Sequence, residues 1–262
     1  MRKTLALAAT TAALFGGTAA AAQAQTVVTP DDVATLPENT PPTSTWVFYV
    51  RGAATGQFVS GPASPPLGNE SFQISTPTGA DKGTLFNFDY VGTDLDDVDA
   101  MSYWTYRSAG SAQQVAALNL QVDVNGTDTA GGFTTLVFEP VYNTGQGAVV
   151  SAQWQDWDAL NGGNAIWWSS NPIPGAPNRD TFVPWNTILA SNPDAVIVGG
   201  VGINQGSGNP ALTTAVDAFN FDGTTYDFEV GPTSKDDCKN GGWQGFYKNQ
   251  GECVSAFASK NK

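Results

Sequence analysis

The chain contains no histidine, and this absence excludes more chemistry than any other property of its composition. Without an imidazole there is no Ser-His-Asp or Cys-His nucleophilic system, and the usual zinc sites and imidazole-based pH switches are excluded as well. Catalysis, if the chain performs any, would have to rest on other groups, and paired carboxylates are the main candidates.

Basic side chains are scarce and unevenly placed. From residue 25 to residue 234 only four basic residues stand against 21 acidic ones, so this body carries a formal charge of −17. From residue 235 to residue 262 five lysines stand against three acidic residues, a charge of +2. An acidic body repels nucleic acid and anionic lipid, so we expect no nucleic acid partner and regard neutral saccharides or cations as compatible ones.

Long apolar runs are confined to the beginning of the sequence. Residues 1–24 combine Arg2 and Lys3, an Ala/Leu-rich stretch and a small-x-small site that ends at Ala24, which predicts a secretory signal peptide cleaved before Gln25. No later segment is apolar enough to cross a bilayer. We therefore expect a secreted, extracellular protein, or a periplasmic one if the host has an outer membrane.

Charged residues make up only 13% of the 262 residues, whereas Gly (29) and Pro (16) recur every few positions. That texture is typical of many short strands joined by tight turns. Residues 25–44 are rich in Pro, Thr and Asp without any periodicity, which predicts a flexible lead-in. Residues 45–230 then supply about ten apolar segments of strand length, among them Ala195 to Gly202.

Alternation of apolar and polar residues sets the fold class. In Leu118 to Val124 every second side chain is apolar, which is typical of an antiparallel strand with one face buried. Residues Pro184 to Ser191 predict one short helix, because Pro suits a first helical position and Trp185, Ile188 and Leu189 share one face. The expected fold is all-β, an antiparallel jelly-roll-like β-sandwich with one short helical insert.

The only two cysteines, Cys238 and Cys253, lie in the last stretch of the chain. In an exported protein such a pair predicts a disulfide, and free thiols are the alternative. Residues 231–262 are therefore expected to form a linker and a small disulfide-closed tail.

The sequence of this tail and of parts of the body resembles that of known groups of proteins. The tail pattern Cys-Lys-x-Gly-Gly-Trp followed by Lys-Asn-Gln-Gly-x-Cys-Val resembles a C-terminal element of secreted bacterial proteins, many of them uncharacterised. The body resembles uncharacterised secreted bacterial jelly-roll proteins at residues 136–142, 154–158, 167–170, 206–208, 216–217 and 225–229. The resemblance implies a sandwich fold and export, and it brings no catalytic residue with it.

Four of the eight tryptophans lie between positions 153 and 168, which makes this stretch the first candidate site. Trp154 and Trp157 are three residues apart and Trp167 and Trp168 are adjacent, so in each pair one ring faces in and one faces out. If the two strands are neighbours, the outward rings form a platform for sugar stacking, with Asp156 among the nearby hydrogen-bond acceptors. The alternative is that the rings only pack in the core.

Two acidic stretches raise the question of a cation. Asp123, Asn125 and Asp128 place oxygen side chains around a Gly turn, which resembles the start of a calcium loop and makes a structural calcium the only cofactor expected. The alternative is an Asx-rich hairpin turn. The four aspartates between positions 94 and 99 are interpreted as a solvated turn.

Three functions remain open on the sequence. The first is a non-catalytic binding or surface module, with a neutral extracellular polysaccharide as its partner. The second is a carbohydrate-active enzyme that uses paired carboxylates, for which Glu139 and Glu229 at strand ends are the candidates. The third is a structural envelope protein without a small ligand. No catalytic residue is assigned.

Overall fold

The computed structural model describes residues 24–111, 113–127, 130–232, 234–239 and 241–258, and these form two β-sheets that pack face to face. The predicted all-β sandwich is confirmed. The predicted signal peptide lies outside the described residues except for Ala24, which begins the first strand.

The larger sheet has eight strands. Their bounds in chain order are β2 (Val33–Pro37), β3 (Trp46–Arg51), β6 (Lys82–Asn87), β8 (Ala117–Asp123), β9 (Phe133–Phe138), β11 (Ile166–Ser169), β12 (Val183–Pro184) and β13 (Val196–Gly206). Their spatial order is β12-β11-β9-β8-β13-β6-β3-β2. Neighbouring strands are antiparallel except β2 and β3, which run parallel.

The second sheet has seven strands. They are β1 (Ala24–Val28), β4 (Thr55–Ser60), β5 (Glu70–Thr76), β7 (Met101–Ala109), β10 (Trp154–Asp158), β14 (Leu212–Phe221) and β15 (Thr224–Phe228). Strand β14 is central, because β7 pairs with one of its edges while β5 and β15 share the other. Strand β10 extends the sheet beyond β7, and β1 pairs in parallel with β15.

Aromatic rings from the two sheets meet in the core. Phe48 of β3 packs edge-on against Phe72 of β5 with ring centroids 5.4 Å apart, and Trp46 packs against Phe228 of β15 at 5.6 Å. All four side chains are at most 4% exposed. These contacts join the sheets as the alternation along each strand predicts, because every second side chain points into the space between them.

The prediction that residues 25–44 form a flexible lead-in without regular structure is wrong. These residues form β1, a 3₁₀ turn over Pro30–Asp32 and β2, and each strand pairs in parallel with an edge of one sheet. The sequence signal was weak because parallel pairing at an edge is made by backbone hydrogen bonds, which do not require an apolar period. Strand β4, an edge strand that pairs antiparallel with β5, was not predicted either.

The predicted helix is confirmed as α1 (Trp185–Ser191), in which Trp185 and Ile188 are buried; it begins one residue later than predicted, so Pro184 is the N-cap and not the first helical residue. A second helix, α2 (Gln250–Ala258), lies in the tail and was not predicted. The predicted disulfide between Cys238 and Cys253 is confirmed. The tail contacts the sandwich through Gly245, which lies against the side chain of Val27 on β1. Among the described residues no helix is long and apolar enough to cross a membrane.

Reduction of the disulfide is expected to loosen the tail and leave the sandwich intact. The bridge closes a loop with a sequence separation of 15, and in the chain-entropy account a loop of this length is worth roughly 3 kcal/mol. Hydrogen exchange of the α2 amides should therefore become about 100-fold faster after reduction, whereas exchange in β13 should not change. Unchanged exchange in α2 would show that other contacts hold the tail.

Candidate functional site

A wide groove of about 750 Å³ lies on the eight-stranded sheet, on the face that points away from the core. Its floor residues alternate along β8, β9 and β11 with core residues, which places them on the outer face. The volume is typical of pockets that hold small molecules. Its lining includes the aromatic Tyr142, Trp168 and Phe182, the basic Arg51, Lys82 and Arg179, the acidic Glu139 and Asp180, and the floor residues Asn119 and Val137.

Strand register brings the floor of the groove together. Trp168 of β11 lies opposite Val137 of β9, and Val137 lies opposite Asn119 of β8. The three side chains thus form a row across three strands. Asn119 is only 6% exposed, and its Oδ1 accepts no hydrogen bond from the part of the chain that the structure describes. Within the described residues, the Oδ1 atom of Asn119 therefore remains available on the groove floor as a hydrogen-bond acceptor.

Trp168 is held in one orientation by two polar neighbours. Its Nε1 donates a 3.0 Å hydrogen bond to Oε2 of Glu139. The guanidinium carbon of Arg179 lies 5.1 Å from the centre of the indole ring, a cation–π distance. Burial raises the pKa of Glu139, while the hydrogen bond from Trp168 and the charge of Arg179 act to lower it. The indole is half-buried, so part of its surface remains open to the groove.

A second aromatic surface lies at the edge of the same groove. Tyr142 ends a 3₁₀ turn and Phe182 precedes β12, and their ring centroids are 4.4 Å apart. Both residues are unusually open for their size, with relative exposures of 46% and 41%. An exposed aromatic pair beside a groove is more typical of a binding surface than of packing. Sequence reasoning missed this pair, because the two residues are 40 positions apart and lie outside any alternating segment.

The other end of the groove carries two cations. Arg51 of β3 lies directly opposite Lys82 of β6. Both contact Glu38, with Nζ of Lys82 2.8 Å from Oε1 and Nη1 of Arg51 3.3 Å from Oε2. Partial burial acts to raise the pKa of Glu38, but the hydrogen bond and charge of Lys82, with those of Arg51, lower it overall. Glu38 is therefore ionised at neutral pH.

The tryptophan prediction is correct in orientation and wrong in placement. Trp157 and Trp167 are fully buried, whereas Trp154 and Trp168 are half-buried, as the spacing predicts. The shared platform is not formed, because β10 belongs to the seven-stranded sheet and β11 to the eight-stranded one. Strand alternation determines which way a side chain points, but it does not determine which sheet the strand joins.

Two of the candidate sugar-binding residues are core residues instead. Nε1 of Trp157 donates to Oγ1 of Thr105 at 2.8 Å, and Nε1 of Trp167 donates to the carbonyl of Ala159 at 2.8 Å. Neither ring has any exposed area with which to contact a saccharide. For these two, the packing alternative is the correct one.

Trp154 and Asp156 lie on the opposite sheet from the groove. Nε1 of Trp154 donates to the carbonyl of Pro62 at 2.9 Å, and the ring packs against Tyr106. Asp156 lines a separate cleft of about 560 Å³, whose other acidic residues are Asp96, Asp99 and Asp158. Of the five candidate sugar-binding residues, only Trp168 therefore lies in the groove.

The predicted calcium loop is described only in part. Oδ1 of Asp123 accepts a 2.9 Å hydrogen bond from the backbone N–H of Asn125, which is an Asx turn. Asp128 lies outside the described residues. Among the residues that the structure describes, no group of three or more acidic or sulfur ligands could hold a metal ion. Calcium binding at Asp123, Asn125 and Asp128 stays a prediction.

The two candidate catalytic glutamates do not share a cavity. Glu139 lines the groove, whereas Glu229 lies on the other sheet. Oε1 of Glu229 accepts backbone hydrogen bonds from Asn69 at 2.7 Å and Glu70 at 2.9 Å, so this carboxyl group fastens the loop before β5. Burial raises the pKa of Glu229 to about 7. The carboxyl pair suggested by the sequence is therefore not assembled.

A second buried carboxyl group fastens the same loop. Oδ2 of Asp217 accepts a 2.9 Å hydrogen bond from the backbone N–H of Leu67. Asp217 has no exposed area, and its burial raises the pKa to about 8. Asp227 is nearby, and burial raises its pKa as well. These acids are structural elements of the seven-stranded sheet and lie away from the groove.

No family model matches the chain, and no curated protein matches it. The resemblance stated from the sequence therefore stays a prediction. Among solved structures, an arabinose-bound GH51 α-L-arabinofuranosidase is similar, with 15% identity and a TM-score of 0.37, over 66% of this chain and 22% of that one. This chain thus spans about a fifth of that enzyme.

Two carbohydrate-binding modules are also similar. The family 11 module from Clostridium thermocellum, solved with a mixed-linked β-1,3-1,4 tetrasaccharide, has 13% identity and a TM-score of 0.36, over 70% of this chain and 91% of that one. A structure of carbohydrate-binding modules from the β-sandwich superfamily has 13% identity and a TM-score of 0.33, over 69% and 58%. At these identities and TM-scores the similarity of all three structures to this chain is distant.

Proposed function

We propose that the protein is a secreted, non-catalytic saccharide-binding protein whose site is the groove on the eight-stranded sheet. The observation that carries the proposal is a fixed indole facing a groove of oligosaccharide size. Trp168 is oriented by Glu139 and Arg179, and it shares the groove with an exposed aromatic pair. Flat aromatic surfaces pack against the C–H faces of sugar rings, and polar groups between them bind the hydroxyls.

The layout of the groove supports an extended ligand. Trp168 lies on β11 and Lys82 on β6, and four strand spacings separate them in the order β11-β9-β8-β13-β6. Adjacent strands are about 4.8 Å apart, so the two residues are roughly 19 Å from each other across the sheet. A single sugar is too short to span this distance, which favours an oligosaccharide or a polysaccharide segment.

Replacement of Trp168 by Ala is expected to weaken saccharide binding by roughly 30-fold, which corresponds to the ~2 kcal/mol typical of an aromatic hot spot. The matched control is Trp154→Ala, because Trp154 is also a half-buried, outward-facing tryptophan but lies on the other sheet. Affinity electrophoresis and pull-down against insoluble and soluble polysaccharides would measure the effect.

Each outcome of this experiment has a definite meaning. Loss of binding in the Trp168 variant alone supports the groove. Equal loss in both variants, or loss only in the Trp154 variant, would place the site elsewhere. If no saccharide is retained by the wild-type protein, the structural envelope function becomes the better explanation. If reducing ends accumulate during incubation, the protein is an enzyme, and Glu139→Gln becomes the next variant to test.

A further inference from the structure

The few cations of the acidic body are concentrated in one place. The segment from residue 25 to residue 234 holds four basic residues, and three of them, Arg51, Lys82 and Arg179, line the groove. The fourth, Arg107, is 5% exposed on β7 and donates to the carbonyl of Ser111. A body with a formal charge of −17 thus presents its accessible positive charge on the proposed binding surface.

The two ends of the groove differ in how far their basic side chains are already paired with other groups of the protein. At the Trp168 end, Arg179 lies against the indole, its charge acts on Glu139, and the acidic Asp180 also lines the groove. At the other end, Arg51 and Lys82 share a single carboxylate, Glu38. Asp81 precedes Lys82 in the sequence, but its carboxylate accepts hydrogen bonds from Ala53 and Thr78, so among the described residues Glu38 is the one carboxylate that contacts the two cations. The side chain of Arg51 is 42% exposed, so its guanidinium remains reachable from the groove.

We infer that the saccharide bound in the groove is anionic, with an acidic group placed at Arg51 and Lys82 and sugar rings packed on Trp168 and the Tyr142–Phe182 pair. This inference rests on the proposed function and names its ligand class. It replaces the neutral polysaccharide expected from the overall charge. The overall charge acts at long range and is screened within about 8 Å at physiological ionic strength, whereas a cation in contact with the ligand acts locally.

The side chains of Arg51 and Lys82 determine which acidic groups of a saccharide fit this end of the groove. A guanidinium presents a planar fork of donors that matches the two oxygens of a carboxylate, and an ammonium adds a point charge beside it. A uronic acid carboxylate fits this arrangement, and a sugar sulfate ester offers the same kind of oxygen anion. The shared chemistry is an oxyanion on an oligosaccharide, and the arms of the experiment separate its two sources.

The experiment compares matched saccharides by isothermal titration calorimetry. Uronic acid oligomers of different backbones (galacturonate, glucuronate, and alginate-derived mannuronate and guluronate) are each tested beside their neutral methyl esters, and sulfated oligosaccharides are tested beside their desulfated forms. We expect at least one acidic oligomer to bind about tenfold tighter than its neutral partner, as one hydrogen bond to a charged group predicts. The difference in affinity between the acidic oligomer and its neutral partner should shrink when the salt concentration is raised from about 0.05 M to about 0.5 M. This change shortens the Debye length about threefold.

Three variants test the assigned groups. Arg51→Gln should weaken binding of the acidic oligomer about tenfold and binding of its methyl ester much less, so most of the preference is lost. Glu38→Gln should raise the preference, because it frees the charge of both cations. Lys235→Gln is the control, since it removes the same charge from the tail, outside the groove residues. Thermal melting confirms that each variant is folded before binding is measured.

The results separate this inference from the proposed function. If the neutral esters bind as well as the acids and Trp168→Ala still abolishes binding, the groove is correct and the anionic ligand is wrong. If Glu38→Gln weakens acidic binding as strongly as Arg51→Gln, the three residues only shape the groove, and the inference is again overturned. If neither acidic nor neutral saccharides bind, the proposed function itself fails.

Discussion

Replacement of Trp167 by Ala is expected to lower the free energy of unfolding by about 3–5 kcal/mol, the cost typical of removing a buried tryptophan. Trp167 has no exposed area and packs against Trp185 at 5.1 Å and Phe138 at 5.6 Å between ring centroids. Its indole N–H bonds the carbonyl of Ala159, so the variant also loses a buried hydrogen bond. Chemical denaturation followed by circular dichroism would measure the loss.

The neighbouring residue provides the control for this prediction. Trp168→Ala changes the same residue type one position along β11, but on the outer face of the sheet. We expect it to cost less than about 1.5 kcal/mol in stability, because no core cavity is created, and to lose saccharide binding instead. Equal destabilisation by both variants would mean that Trp168 is a structural residue and that the groove lacks its central surface.

Stability is expected to fall as the pH rises from about 5 to about 8. The folded-state pKa of Asp217, about 8, lies above its ordinary value of 3.8. Between these values the folded protein keeps a proton that the unfolded chain has released, so the unfolding free energy decreases with rising pH. At about 1.4 kcal/mol per pH unit, Asp217 alone accounts for a decrease of roughly 4 kcal/mol over these three pH units. Glu229, with a pKa of about 7, acts in the same direction.

The variant Asp217→Asn should flatten this pH profile. Its amide oxygen still accepts the hydrogen bond from Leu67, and its neutral side chain removes the need to bury a charge above pH 8. The matched control is Asp97→Asn, which removes one charge from an exposed turn and should leave the slope unchanged. Melting curves at half-unit pH intervals would show whether the fall in stability comes from burial of the Asp217 carboxyl group or from general charge repulsion in an acidic protein. Equal slopes in wild type and Asp217→Asn would contradict the local explanation.

The strand pattern was readable from the sequence wherever side chains alternate against the core. Residues 118–124 are an example, since Leu118, Leu120 and Val122 are fully buried while Gln121 is half-exposed. The turn from Pro184 into α1 was readable for a comparable reason, because Pro and the spacing of Trp185 and Ile188 act locally. Strand alternation and helix-start patterns depend only on residues a few positions apart, so they can be recognised directly in the sequence.

The site depends on distant neighbours, and for that reason the sequence suggested Trp168 and Glu139 for separate roles without bringing them together. Trp168 was chosen for its residue type, but its partners Tyr142, Phe182 and Asn119 reach it through strand order and loop paths that no local pattern specifies. The assignment of Trp154 to the same surface failed for the same reason. The concentration of cations was equally hidden, because Arg51 and Arg179 lie 128 positions apart in the sequence.

The parallel edge strands β1 and β2 have a consequence for how the protein behaves among copies of itself. An exposed strand edge is a template for pairing with another chain, and proteins blunt such edges with short strands, proline and charge. Here β1 and β2 have five residues each, β2 ends in Pro37, and the turn between them carries Asp31 and Asp32. A single short segment thus closes one edge of each sheet and protects both from growing into intermolecular aggregates.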